Sequence, residues 1–173
     1  MKFIFTKTFS KTHTLIFPLF AKKKVTEKSG VEAIDALLKK PAQQGSFEGG
    51  EGEIFARFPQ TGALPQRIVF VCLGEKEKLN VHKVMQHIGH AFKKAREEKG
   101  TAISLFVPAE LRHHAEAIAQ TCILANYNPA QYKTGKAVTK AKEHDIQEVQ
   151  GAVRAASENE LKQLKKTFER GRI

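Results

Sequence analysis

The sequence predicts a three-layer α/β domain with helices on both faces of a largely parallel sheet. Two observations carry that expectation. The run Ile68-Val69-Phe70-Val71-Cys72-Leu73 is apolar at every position, which suits a strand covered on both faces and not one with a solvated side. Downstream, strand-like and helix-like stretches alternate, the pattern that builds parallel sheets with crossover helices. At 173 residues the chain has the length of one domain, and 41% hydrophobic with 27% charged residues excludes disordered, collagen-like and coiled-coil classes.

Phe3, Phe5 and Phe9 keep one phase of a period of two, and Leu15 to Ala21 follows as a second strand-like run, so the chain opens with two strands. Val31, Ile34, Leu37 and Leu38 recur at helical spacing, predicting a short helix from near Ser29 that ends before Pro41. Gln43 to Gly52, with four glycines, reads as a loop, Glu53 to Phe58 as a strand and Pro59 to Pro65 as a turn. After the apolar strand, Val81, Met85, Ile88, Phe92 and Ala95 trace one stripe of a helix over Leu79 to Lys99, stopped by Gly100. Ala102 to Val107 is the next strand. Pro108 then opens a helix whose inner face is Leu111, Ala115, Ile118, Cys122 and Ala125, ended by Asn126 to Pro129. Tyr132 to Lys142 is basic and turn-like, Ile146 to Val153 is expected as an edge strand, and Ser157 with Glu160 forms a capping box before a last helix.

Lys plus Arg number 29 against 18 Asp plus Glu, a net charge of +11 and a pI near 9.7. That charge favours anionic partners without specifying a fold. Basic residues concentrate at Lys2, Lys7, Lys11 and Lys22 to Lys24, at Lys133, Lys136, Lys140 and Lys142, and at Lys162, Lys165, Lys166, Arg170 and Arg172. Nucleic-acid modules add aromatic stacking platforms. Here most of the 12 Phe lie in apolar runs and Trp is absent, so nucleic-acid binding stands only as an alternative. Cys72 and Cys122 each sit in apolar runs and read as buried free thiols of a reducing, cytoplasmic compartment. The apolar stretch Leu15 to Ala21 holds Pro18, runs into Lys22-Lys23-Lys24 and lacks a cleavage site, so it is a strand and not a signal peptide. No stretch reaches the roughly 20 apolar residues of a membrane span.

Motifs for chemistry fail one by one. Gly50 and Gly52 satisfy G-x-G, but Phe55 stands at the third glycine position. Around Gly135-Lys136 a P-loop would need glycine at Ala130 and a hydroxyl at Ala137. Gly74 could let a helix N-terminus approach an anion, but Glu75 and Glu77 bring negative charge. His87 and His90 share a helix and His113 and His114 are adjacent, with no carboxylate joining either pair, so they read as solvated polar faces. Asp35 and Asp145 are the only aspartates, too scattered for the converging carboxylates of a two-metal hydrolase. No G-x-S-x-G elbow is present. The expected catalytic, cofactor-binding and metal-binding residues are therefore none.

One resemblance joins these pieces. Arg67-Ile68-Val69-Phe70-Val71-Cys72-Leu73-Gly74, followed by Glu75-Lys76-Glu77 and an amphipathic helix, resembles the N-terminal domain of the leucine (cytosol) aminopeptidases. Upstream, Gly45-Ser46-Phe47-Glu48-Gly49 is similar to that family's G-x-F-x-G segment. Downstream, Ala125-Asn126-Tyr127 through Tyr132-Lys133 looks like its tyrosine segment ending Y-K, although Pro129 and Ala130 stand where Phe and Asp are common. The likeness covers about residues 14–173.

The resemblance implies a macro-domain-like fold, a mixed sheet flanked by helices, without implying ADP-ribose binding. It also implies a non-catalytic domain, 1–155, and a segment, 156–173, that begins a linker helix toward a C-terminal catalytic domain of the same polypeptide. The family's N-T-D-A-E-G-R motif is not in this sequence, which therefore looks like an N-terminal piece. The implied whole enzyme is a cytoplasmic homohexamer that releases N-terminal amino acids from peptides with two divalent metals, zinc or manganese. Some bacterial members of the family also contact nucleic acid. If the last helix leads away from the domain, its apolar residues Leu161, Leu164 and Phe168 should hold it through about Leu164 and less firmly from Phe168 onward.

Overall fold

The computed structural model describes residues 2–170 except 7, 9, 12, 23–24, 27–30, 44–46, 60–61, 63, 99–100, 128–145 and 154–156. The main sheet is formed by β1 (Lys2–Thr6), β2 (Thr14–Leu19), β5 (Ile54–Arg57), β6 (Arg67–Cys72), β7 (Ala102–Phe106) and β8 (Glu148–Ala152). Its order is β1-β8-β7-β2-β6-β5, with every neighbouring pair parallel except β5 against β6. β3 (Ala21–Lys22) and β4 (Val25–Thr26) form a separate antiparallel ribbon that the sequence did not announce.

Apolar continuity explains the centre. All six residues of β2 are buried, as are the last five of β6. Alternation then divides them between two cores. Leu15, Phe17, Ile68, Phe70 and Cys72 point to the face covered by α1 (Glu32–Gln43), whose Ile34 and Leu38 close that core with Phe47 and Leu64. Here Phe17 stacks on Phe106 at 4.5 Å and Phe55 on Phe70 at 4.8 Å.

Ile16, Val69, Val71, Ile103 and Leu105 face the other way, toward α2 (Val81–Glu97), α3 (Ala115–Asn126) and α4 (Glu158–Arg170). Cys72 and Cys122 are free and belong to opposite cores. No helix among the described residues is long and apolar enough to cross a membrane.

Several elements depart from expectation. The first two strands do not pair with each other, because β1 adds beside β8 while β2 lies between β7 and β6. β8 is consequently interior and not an edge, in parallel register from Lys2 opposite Glu148 to Thr6 opposite Ala152. Its Gly151 lies beneath the Phe5 ring, where a Cβ would come within 2.5 Å of Phe5 Cε1. The first helix continues past Pro41 to Gln43. A proline in the last turn forfeits a single backbone bond, while burial of Ile34 and Leu38 holds the turns before it.

On α2 the packed face is Val84, His87, Ile88, Ala91, Phe92 and Ala95, the i, i+3, i+4, i+7, i+8, i+11 pattern of one helical face. Val81 is exposed and Met85 half-buried. Pro108 opens a 3-10 segment, Ala109–His114, before α3. Leu111, Ala115, Ile118, Cys122 and Ala125 line the inner face as predicted. The α4 capping box forms in both directions. Glu160 N–H donates to Ser157 Oγ at 3.2 Å and Ser157 N–H to Glu160 Oε2 at 2.7 Å. Phe168, expected to loosen, is 1% exposed and meets Phe5 edge-on at 4.7 Å. The basic stretch of residues 132–142 lies outside the described residues.

Candidate functional site

Open α/β sheets bind ligands beyond the carboxyl ends of their strands, where consecutive crossovers leave in opposite directions. Here that point lies beside β2, since the chain goes from β2 to β6 on one side and then to β7 on the other. Side chains from three turns meet there. Phe20, directly after β2, is buried, and Lys76 Nζ from the turn after β6 sits 5.1 Å above its ring. The same ammonium bonds Glu110 Oε1, from the 3-10 segment after β7, at 2.7 Å. The hydrogen bond from Lys76 holds the Glu110 carboxyl below its ordinary range, against some opposing desolvation. An ion pair over an aromatic ring thus lies at the carboxyl ends of these strands.

The glycine loop before β5 is also occupied from within. Glu53 turns its carboxylate back so that Glu48 N–H donates to it at 3.2 Å and Gly50 N–H at 3.0 Å. Gly52 N–H bonds Cys72 O at 2.8 Å. These are the donors a phosphate would use, and the chain's own carboxylate takes two of them. Gly74, with φ +79°, lies under Glu51, and a Cβ there would come within 2.9 Å of Glu51 Oε2. Glu51 thus brings negative charge to Gly74 that the sequence reading did not include. Lys83 Nζ bonds that carboxylate at 2.8 Å and, by this hydrogen bond above all, lowers its pKa.

The histidines do not assemble. His87, expected in solvent, is 7% exposed on the inner face of α2, its Nε2 3.5 Å from Glu51 Oε1, while His90 is exposed. The rings of His113 and His114 are 3.8 Å apart, and burial, then the neighbouring His113, pushes the His114 pKa down. Burial raises both thiols, Cys72 and Cys122. Gly135 and Lys136 lie outside the described residues.

A polar constellation missed in the sequence lies under the β1–β2 connection. Ser104, fully buried in β7, donates to Gln150 Oε1 at 2.8 Å, with His13 Nδ1 3.3 Å from its Oγ. His13 Nε2 is 3.7 Å from Glu148 Oε1. The order Ser, His, carboxylate matches a catalytic relay in composition. Its geometry does not, because the hydroxyl is sealed in the sheet and already committed to Gln150. Ser10 N–H donates to Gln150 Oε1 at 3.0 Å and Gln150 Nε2 to Thr6 Oγ1 at 2.8 Å, so the cluster pins the connection to the sheet. Its one sequence signal was a serine inside an otherwise apolar strand.

Among the described residues no group of three or more His, Cys, Asp or Glu comes together to hold a metal ion. The described donors do not converge as a two-metal centre requires, with several carboxylates on both ions.

Comparison with known proteins agrees with this architecture. Residues 16–136 match the model of the cytosol aminopeptidase family, N-terminal domain. A probable cytosol aminopeptidase of Bacillus subtilis (strain 168) is 27% identical over 162 residues, covering 83% of this chain and 32% of that protein. The chain therefore spans about a third of the length of this curated relative. A solved tomato leucine aminopeptidase mutant has the same fold, with a TM-score of 0.68 at 15% identity over 98% of this chain and 35% of that one. So does the bottromycin maturation enzyme BotP, with a TM-score of 0.59 at 12% identity over 93% of this chain and 30% of that one. With the family model spanning most of the chain and the fold following the same plan, this protein belongs to the cytosol aminopeptidase family and corresponds to its N-terminal domain.

Proposed function

We propose that this chain is the non-catalytic accessory domain of a cytoplasmic metalloaminopeptidase that releases N-terminal amino acids from peptides. The observation that carries the reading is the family match over residues 16–136 in a chain that spans about a third of its curated relative. In this reading the two divalent metals, zinc or manganese, belong to a separate C-terminal catalytic domain of a homohexamer. Residues 1–155 are the accessory domain and 156–173 lead toward the catalytic one, with α4 anchored by Leu164 and Phe168 as the mount.

The test is a peptidase assay on this chain alone. With leucine p-nitroanilide and zinc, manganese or magnesium, the expected result is no turnover above the buffer blank. Turnover abolished by a chelator would place catalysis in this domain and overturn the reading.

A further inference from the structure

Arg112, His113 and His114 follow one another where the 3-10 segment runs into α3. A helix presents its positive end at this point, so three basic side chains in a row oppose the dipole once the histidines are charged. The two rings lie 3.8 Å apart. His114 Nε2 is out of reach of water and has no hydrogen-bond partner among the described residues, so an imidazolium would carry a buried N–H with no acceptor. Charged groups reach the junction from each element that meets there. Glu110 and Arg112 come from the 3-10 segment, Glu116 from α3, Lys76 from the turn after β6 and Glu160 from α4. Glu110 is bound to Lys76 at 2.7 Å and Glu160 to Arg112 at 2.8 Å, and among the described residues no carboxylate makes an ion pair with either ring.

We propose that His113 and His114 form an acid-released latch: the neutral pair lets the 3-10 segment close on α3, and protonation drives the His114 ring toward water and loosens the adjoining bridge from Arg112 to Glu160 at the start of α4. Burial first, and His113 second, hold His114 below its ordinary 6.5. Its neutral form therefore contributes stability in full above 6.5, and that contribution is lost as the pH falls toward the lowered value. Glu160 is held below 4.5, chiefly by the backbone N–H of Ser157. At pH 5 it is still charged, so the bridge gives way from the histidine side. Leu111, fully buried between Glu110 and Arg112, keeps the loosening away from the pair of Lys76 and Glu110. The latch is a property of this chain alone. Under the accessory-domain reading it acts on the mount, because α4 leads toward the catalytic domain.

The test is amide hydrogen exchange of the ¹⁵N-labelled full chain at pH 7.5 and pH 5, expressed as protection after correction for the intrinsic rate. The reporters are Glu160 N–H, which donates to Ser157 Oγ, and Leu161 N–H, which donates to Ser157 O at 3.1 Å. Cys72 N–H, bonded to Glu53 O at 2.9 Å in the sheet, is the reference. The expected result is lost protection at Glu160 and Leu161 at pH 5 with Cys72 unchanged, together with a His114 ring that titrates below 6.5 by NMR. His114→Gln should abolish the loss. His113→Gln, at an exposed position, should reduce it and raise the His114 midpoint. Unchanged protection at pH 5, an equal loss in His114→Gln, a His114 midpoint at or above 6.5, or loss at Cys72 in step with Leu161 would overturn the proposal. If His114→Gln does not fold, the His113→Gln midpoint decides alone, and an unmoved midpoint overturns it.

Discussion

Lys76 does two things with one ammonium: it covers the Phe20 ring and neutralises Glu110. Because the folded state holds the Glu110 carboxyl below its ordinary 4.5, the pair contributes stability above that value and loses it as the pH falls through the lowered one. Glu51, held down by Lys83, adds to the same acid limb with the same sign. Both pairs are about a third exposed, so each is worth under about 1 kcal/mol. Glu110→Gln should therefore leave the urea midpoint at pH 7 slightly lowered and reduce the drop between pH 7 and pH 3. A variant whose acid limb matches the wild type would show that the pair contributes nothing. The pairing of Lys76 with Glu110 was not legible, since 34 positions separate them and only the crossover from β6 to β7 brings their turns together. Ser104 was more accessible to reasoning, because a hydroxyl inside an apolar strand demands a partner. That the partner is Gln150 depends on β7 and β8 being neighbours.

At the scale of elements, α4 shows how a short amphipathic helix is held. Leu164 and Phe168 are its buried residues, and its start is fixed by the reciprocal bonds of Ser157 and Glu160. Phe168→Ala should cost about 3–5 kcal/mol, and Ser157→Ala about 1 kcal/mol. Hydrogen exchange should show α4 amides losing protection before those of β2 or β6 in both variants. Uniform loss across the sheet would mean that α4 does not open by itself. The cap was legible because its four residues are local. The docking of Phe168 was not, because its partner Phe5 comes from the opposite end of the sequence. The position of β8 was hidden for the same reason. Glu148–Ala152 has the alternating look of an edge strand, and only β1 alongside makes it interior. On α2 the helix itself was plain, while its inward face was settled by packing that admitted His87 and excluded Val81.

For the whole molecule, the net charge of +11 carries its own prediction. Any association with nucleic acid should be sequence-independent and fall steeply with salt, since charge without stacking acts through counterion release. Anisotropy with labelled single-stranded DNA at 50 and 200 mM salt, concentrations across which such binding drops by orders of magnitude, checks this, and a flat response would contradict it. The α/β class and its layers could be read from periodicity, but the strand order could not, because it depends on which distant segments meet. That order has a consequence for synthesis. β1 leaves the ribosome first, yet its sheet partner, β8, is made some 140 residues later. At about 5–20 residues per second, Lys2–Thr6 waits on the order of ten seconds with its backbone groups unclaimed and its apolar face bare. During that wait β2, β6 and β7 can already assemble, so the nascent domain passes through a stage with an open parallel edge at β7. Such an edge invites pairing with another chain. The latest-made strand of this sheet among the described residues is therefore the one that closes it, and the time to reach it sets how long the growing domain stays vulnerable.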